Sequence, residues 1–231
     1  MADGGTLAQR ITDLIGSQYS TDAAYAGDFI NAAINEIADM VSEDLLIKYS
    51  RTPGELTSNS EWLVEGRKIL KVTRIDSDSS GIERECKPLG RDMFAVAGDS
   101  GSIHYATAFS PIYHLDTANA GSATLKILPE PGGTQRGKIW YFTYVADSDS
   151  NTIGVTGATL NTSYYLPSEL IHAVALKSSV NLLNAYISNQ IQDEEDIEML
   201  QMLQAQLQLL EKSYTTEMSR YMDESGKAGA E

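Results

Sequence analysis

An α+β fold is the architecture this sequence predicts: a helical bundle built from the N- and C-terminal segments, with an antiparallel β-sheet or small barrel inserted between them. Three observations predict it. Apolar residues recur at helical spacing in the first 50 residues and again after Leu166. Between these regions lie short alternating segments, rich in β-branched and aromatic residues and separated by Gly-, Pro- and Ser-rich turns. The formal charge of −15, from 17 basic and 32 acidic residues, gathers in the helical ends. The expected organisation is a helical part over 1–55, a β-rich insertion over 56–150, a linker over 151–165, a second helical part over 166–222 and a flexible tail over 223–231. At 231 residues with 42% apolar content, the chain can bury a substantial core.

In order along the chain, Leu7, Ile11, Leu14 and Ile15 mark a short helix ending near Gly16. A longer helix follows a start signal at Thr21 and Asp22. Its apolar face is Phe29, Ile30, Ala33, Ile34, Ile37, Met40 and Val41, with Asp28, Asn31, Asn35 and Asp39 opposite. Ser42, before Glu43 and Asp44, has the chemistry of a fresh N-cap for a helix through Leu45, Leu46 and Tyr49. Pro53-Gly54 then breaks the pattern. Ile69, Val72 and Ile75 predict a strand, DSDSSG (76–81) a turn, and Ile82–Lys87 its hairpin partner. A helical turn over 90–97 precedes further strands at 111–115, 123–128 and 138–146. The last, KIWYFTYVA, carries the strongest strand signal. After the polar linker, Leu166-Pro167-Ser168-Glu169 opens a helix running to about Gln190, with Pro near its first position and an acid in its first turn. The acids Asp193, Glu194, Glu195 and Asp196 suit the N-terminus of a final long helix, where carboxylates offset the helix dipole. Its Leu200, Leu203, Leu207, Leu210, Tyr214 and Tyr221 keep a heptad spacing, which serves either the core of a bundle or a seam between molecules.

No constellation for catalysis emerges. Cys86 is the only cysteine, which excludes an intrachain disulfide and a multi-cysteine metal site. His104, His114 and His172 have no neighbours at metal-ligand spacing. GGTQRGK (132–138) departs from phosphate-loop spacing and joins two strands, so it reads as a hairpin turn. GDSGS (98–102) lacks the strand–elbow–helix setting of a nucleophilic serine. Arg67, Lys68, Lys71 and Arg74 read as a solvated sheet face, or as a docking face for an acidic partner. The expectation is therefore a chain that is not an enzyme, with no catalytic residue, no metal ligand and no cofactor. Strong acidity disfavours both nucleic-acid grip and adhesion to anionic membranes. MADGGTLAQR has no apolar signal core and no segment has the length of a membrane span, so the expectation is a soluble, unexported protein.

Three segments carry a resemblance. They are the helix FINAAINEIADMVSEDLLIKYS; Pro111-x-Tyr113 with Leu125-Lys126-Ile127-Leu128-Pro129-x-Pro131 and the strand containing Phe142-x-Tyr144; and the helix opening at Leu166-Pro167-Ser168-Glu169-Leu170. In this order and spacing, across most of residues 5–190, the chain resembles the head-to-tail connector (adaptor) proteins of tailed bacteriophages, of the tail-tube-A type found in short-tailed phages. The long C-terminal helix and the extended linker depart from that pattern. The resemblance implies a virion protein assembled in the host cytoplasm, as a homo-oligomeric ring of typically twelve subunits. The ring would sit under the portal protein, extend a channel that DNA traverses without specific binding, and offer a platform to a downstream tail or neck protein. On this reading Leu200, Leu203, Leu207, Leu210, Tyr214 and Tyr221 are candidate contacts within the ring or with the portal. Other neck or tail roles (stopper, tail completion, fibre attachment) keep the same architecture. A carbohydrate-binding module would need exposed aromatics beside paired carboxylates, and Tyr113, Trp140 and Tyr141 show no such pair.

Overall fold

The computed structural model describes residues 6–16, 23–49, 54–57, 62–64, 66–75, 81–119, 122–132, 135–145, 166–190 and 197–222. The predicted start at Thr21 and Asp22, most of the 76–81 turn, the 151–165 linker, the acids Asp193 to Asp196 and the 223–231 tail lie outside them. Its helices are α1 (Leu7–Ile15), α2 (Ala23–Met40), α3 (Glu43–Tyr49), α4 (Arg91–Ala97), α5 (Ile171–Gln190) and α6 (Ile197–Met222). Its strands are β1 (Gly54–Leu56), β2 (Trp62–Leu63), β3 (Arg67–Ile75), β4 (Glu83–Glu85), β5 (Lys87–Pro88), β6 (Ile112–Asn119), β7 (Ser122–Leu128) and β8 (Gly137–Thr143). The chain divides into a helical unit, Met1–Tyr49 with Tyr144–Glu231, and a β unit, Ser50–Thr143. The fold is thus α+β, with a β insertion between the two halves of a helical unit. Both borders fall a few residues earlier than predicted. Gly54–Leu56 is already a strand, and Tyr144 and Val145 are already bonded to α2.

In the helical unit, α5 is the shared neighbour of α1, α2 and α6. Burial explains this: Ala173, Val174, Ala175, Leu176, Val180, Leu182 and Leu183 are all buried, so most faces of α5 are apolar. Local chemistry sets the helix ends. The Thr6 hydroxyl accepts the Gln9 amide at α1, and the Ser42 hydroxyl accepts the Leu45 amide at α3. Gly16 ends α1 at φ 92°, a backbone region open chiefly to glycine. Leu166 and Pro167 are buried, and a 3₁₀ turn over Ser168–Leu170 leads into α5.

The β unit holds two four-stranded sheets, ordered β1-β8-β3-β4 and β2-β7-β6-β5. All pairings are antiparallel except β5 with β6, which is parallel. One run, Glu83–Pro88, serves both sheets. Its first half pairs with β3, the Cys86 amide bonds the Val72 carbonyl (2.8 Å), and the Lys87 amide bonds the Pro111 carbonyl (3.0 Å) as the run joins β6. Leu56, Val72, Cys86 and Ile139 meet Val64, Leu125 and Ile127 in one core between the sheets. Gly137 marks a close approach: a Cβ there would lie 2.6 Å from Ile127 Cδ1 and 3.2 Å from Leu56 Cβ. The predicted hairpin turn at GGTQRGK needs correction. Gly132 and Gln135 exchange backbone bonds of 3.2 and 3.0 Å, residues 133 and 134 lie outside the described residues, and the flanking β7 and β8 belong to different sheets. The hairpin partners are instead β6 with β7 and β3 with β4.

Candidate functional site

The heptad residues of α6 lie along the inside of the helical unit. Leu203 and Leu210 are buried there, as is Met218, while Leu200, Leu207, Tyr214 and Tyr221 are half-buried. The expectation that Leu203 and Leu210 offer contacts to a partner is therefore corrected, since both side chains are spent on packing in the folded chain. Met218, outside the heptad spacing, joins the buried stripe because a straight helix turns every 3.6 residues. Polar contacts fix its register. Gln206 Nε2 donates to the Leu14 carbonyl of α1 (3.0 Å), and the Tyr221 hydroxyl donates to the Glu169 carbonyl (3.1 Å). Three helices meet at Tyr214. Lys177 Nζ of α5 sits 2.7 Å from Glu36 of α2 and 5.4 Å from the Tyr214 ring centroid, and the tyrosine hydroxyl lies 3.5 Å from Met40 Sδ. Burial, with the Glu36 carboxylate nearby, pushes the Tyr214 hydroxyl up to about 12. The apolar residues that α6 does expose are others: Ile197, Met202, Leu209 and Met222.

The polar face predicted for α2 has a task that sequence reasoning missed. Asn35 clamps the backbone at Val145, donating to its carbonyl (3.0 Å) and accepting from its amide (2.9 Å). One turn on, Asp39 accepts the Tyr144 hydroxyl (2.7 Å). Desolvation first, and then the Asp39 contact, raise the Tyr144 hydroxyl to about 12. The clamp holds the chain where it returns to the helical unit. Nothing in the spacing of a polar helix face distinguishes such a residue from a solvated one.

In the β unit, the predicted basic face is divided. Arg74 is buried, and its guanidinium donates to the carbonyls of Pro129 (2.9 Å) and Ile75 (3.2 Å) and to Gln135 Oε1 (2.8 Å). It braces the turn between the sheets. Lys71 pairs with Glu85 (3.6 Å), Lys138 with Glu83 (3.1 Å) and Arg136 with Glu55 (2.8 Å), while Arg67 lies over the Tyr141 ring (5.0 Å). Thr73 donates to Glu83 beside them. Lys71 and the neighbouring cations Lys138 and Arg136 thus each lie beside a carboxylate, in pairs that water screens.

The groups that could do chemistry are dispersed. His104 and His172 are exposed. His114 is buried against Phe94 (rings 5.1 Å apart), with Nδ1 3.2 Å from the Leu89 carbonyl, so that nitrogen carries the proton. It forms one wall of an open cavity of about 350 Å³, shared with Pro88, Leu89, Gly90, Tyr113 and Leu115. Among the described residues no carboxylate, serine or thiol lines it. In GDSGS the polar groups serve the turn itself. Asp99 Oδ1 accepts the Gly101 amide (2.9 Å) and Ser102 Oγ accepts the His104 amide (3.0 Å). Burial drives the Cys86 thiol up to about 12 against the opposing pull of Arg74, which keeps it protonated. Among the described residues no group of three or more His, Cys, Asp or Glu could hold a metal ion, and no helix is long and apolar enough to cross a membrane.

Charge follows the division into units. The helical unit has 21 acidic and 6 basic residues, a net −15, while the β unit has 11 of each and is formally neutral. Among the described residues the two most exposed large apolar side chains lie in the β unit, where Ile103 is 95% and Phe109 76% accessible, and Ile82, Met93, Val96 and Tyr105 are also exposed. Compared with protein-family models, with curated proteins and with solved structures, the chain finds no match.

Proposed function

We propose that this chain is a structural subunit of a tailed-phage virion, a head-to-tail adaptor. It assembles as a ring under the portal, extends the DNA channel and offers an attachment platform to the tail. One observation carries the reading. A helical unit assembled from both ends of the chain holds the whole formal charge of −15, and a neutral β unit is inserted into it. A ring that turns acidic helices toward its bore repels phosphates and lets DNA slide, whereas a basic bore would hold DNA through many released counterions. The packing of the stripe residues into the helical unit, with offset charges on the β unit, also fits a scaffold better than a reactive centre. The resemblance of the three segments supplies the position in the virion.

Electron microscopy of the purified chain, alone and mixed with portal rings, tests this. The expected result is a ring, about twelve-fold, that caps the portal. A chain that ignores the portal and binds only tail-tube protein would overturn the adaptor reading.

A further inference from the structure

Where β5 ends, a histidine side chain takes over from the ladder. The parallel pairing of β5 with β6 stops at Pro88 and Tyr113, with the Leu89 amide donating to the Tyr113 carbonyl (2.9 Å). In a longer parallel ladder the Leu89 carbonyl would accept the amide of a β6 residue. Here the His114 Nδ1–H donates to it (3.2 Å), and the chain turns away at Gly90 into α4. That bond fixes the tautomer: with the proton on Nδ1, Nε2 carries a lone pair and can only accept. Phe94 of α4 braces the imidazole, ring centroids 5.1 Å apart. The side chain is thus held from two elements and is nine-tenths buried.

Its second nitrogen is not used by the fold. Among the described residues nothing donates to Nε2, yet Nε2 is not sealed in the core. It opens on the cavity of about 350 Å³ whose other walls are Pro88, Leu89, Gly90, Tyr113 and Leu115. A fixed, neutral acceptor among largely apolar walls selects its ligand by chemistry. A cation would lose its hydration with no carboxylate in the walls to offset the loss, and an anion would meet no positive side chain there. An apolar molecule without a donor would strip water from Nε2 and leave the acceptor unpaired, which weakens binding. A neutral O–H or N–H donor on a flat apolar body suits both the nitrogen and the Tyr113, proline and leucine walls. The volume lies at the small end of ligand sites. We propose that this cavity binds a small neutral aromatic hydrogen-bond donor, of the phenol or azole class, with His114 Nε2 as its acceptor. The site lies wholly within the β unit and stands apart from the adaptor reading, which it neither needs nor supports.

Nitrogen-15 NMR of the full-length protein, observing backbone amides and imidazole nitrogens, tests this with phenol and benzene as probes. Phenol should shift the Tyr113 and Leu115 amides along a saturable curve. It should also move the His114 Nε2 resonance toward the range of a protonated nitrogen. Benzene, which has the ring and no donor, should bind about fivefold or more weakly. His114→Phe keeps a ring against Phe94 and removes the acceptor, so it should abolish the preference for phenol. That variant also loses the bond to Leu89, and circular dichroism checks its fold; the two probes on the wild type decide the matter without it. Benzene binding as tightly as phenol overturns the proposal. So does saturation that leaves Nε2 unmoved, a shift that never saturates, or a folded His114→Phe that still prefers phenol.

Discussion

Asn35 and Gly137 concentrate more structural consequence than their types announce. Both hydrogen bonds of the Asn35 amide go to the buried backbone of Val145. Asn35→Leu keeps the branched shape but strands an N–H and a C=O, at a cost of about 1–3 kcal/mol for each group left buried and unsatisfied. Urea denaturation followed by far-UV circular dichroism should show a lower midpoint for that variant, and an unchanged midpoint would mean that water satisfies Val145. At Gly137 a single methyl group would meet Ile127 and Leu56 between the two sheets. Gly137→Ala should therefore cost about 1–3 kcal/mol by overpacking, read as a fall in the tryptophan-fluorescence midpoint. Ionisation adds a pH signature. The Cys86 thiol rises from 9.0 and the Tyr144 and Tyr214 hydroxyls from 10.0 to about 12 in the folded chain. Between about pH 9 and 12 the unfolded chain thus releases protons that the folded chain keeps, and stability falls as pH rises through that window. Tyr214→Phe should make the fall shallower. A stability curve of the same slope in that variant would rule Tyr214 out as a contributor.

Along α6, one helix separates residues that hold the unit together from residues that do not. Leu203→Ala and Leu210→Ala each remove a buried side chain and should cost about 2–5 kcal/mol, while Met202→Ala and Leu209→Ala, both well exposed, should stay within about 0.5 kcal/mol. Equilibrium denaturation of the full chain measures all four, and similar losses at Leu203 and Leu209 would contradict the packing described for α6. Elements of this length were legible in the sequence because periodicity accumulates over many residues. On α2 the predicted Ile30, Ala33, Ile34, Ile37 and Val41 are buried, although Met40 at the last turn is exposed. Of the β elements, β3, β6, β7 and β8 stand near their expected places. By contrast β1, β2 and β5 have two or three residues each, too few for alternation to register. The division into two sheets was not legible either. It depends on pairings such as β1 with β8, and on a run that changes sheets at Cys86, none of which leaves a local pattern. Polar residues were the least legible. Helical spacing puts Asn31 and Asn35 on the polar face of α2, yet Asn31 is fully buried and Asn35 is a clamp.

At the scale of the whole chain, the unequal charge should make the two units respond differently to salt. Like charges confined to the helical unit oppose its compaction, and the balanced charges of the β unit do not. Raising ionic strength from about 0.01 M to about 0.15 M shortens the Debye length from about 30 Å to about 8 Å, which screens repulsion across exposed helix surfaces. The same change slightly weakens the exposed Arg136–Glu55 and Lys138–Glu83 pairs of the β unit. Intrinsic probes separate the two responses. Both tryptophans, Trp62 and Trp140, fall in the β unit, so indole fluorescence follows that unit, and far-UV circular dichroism is dominated by the helices. Added salt should therefore raise the dichroism midpoint in urea and leave the fluorescence midpoint level or slightly lower. Neutralising acids of the exposed helical surface, as in Glu198→Gln/Glu211→Gln, should reduce the salt effect on the dichroism midpoint alone. Equal shifts of both probes in the wild type would mean either that the units unfold as one or that the confined charge has no energetic weight. The Glu→Gln pair distinguishes these, because concerted unfolding would still carry its change into both probes, while weightless charge would leave both curves where they were.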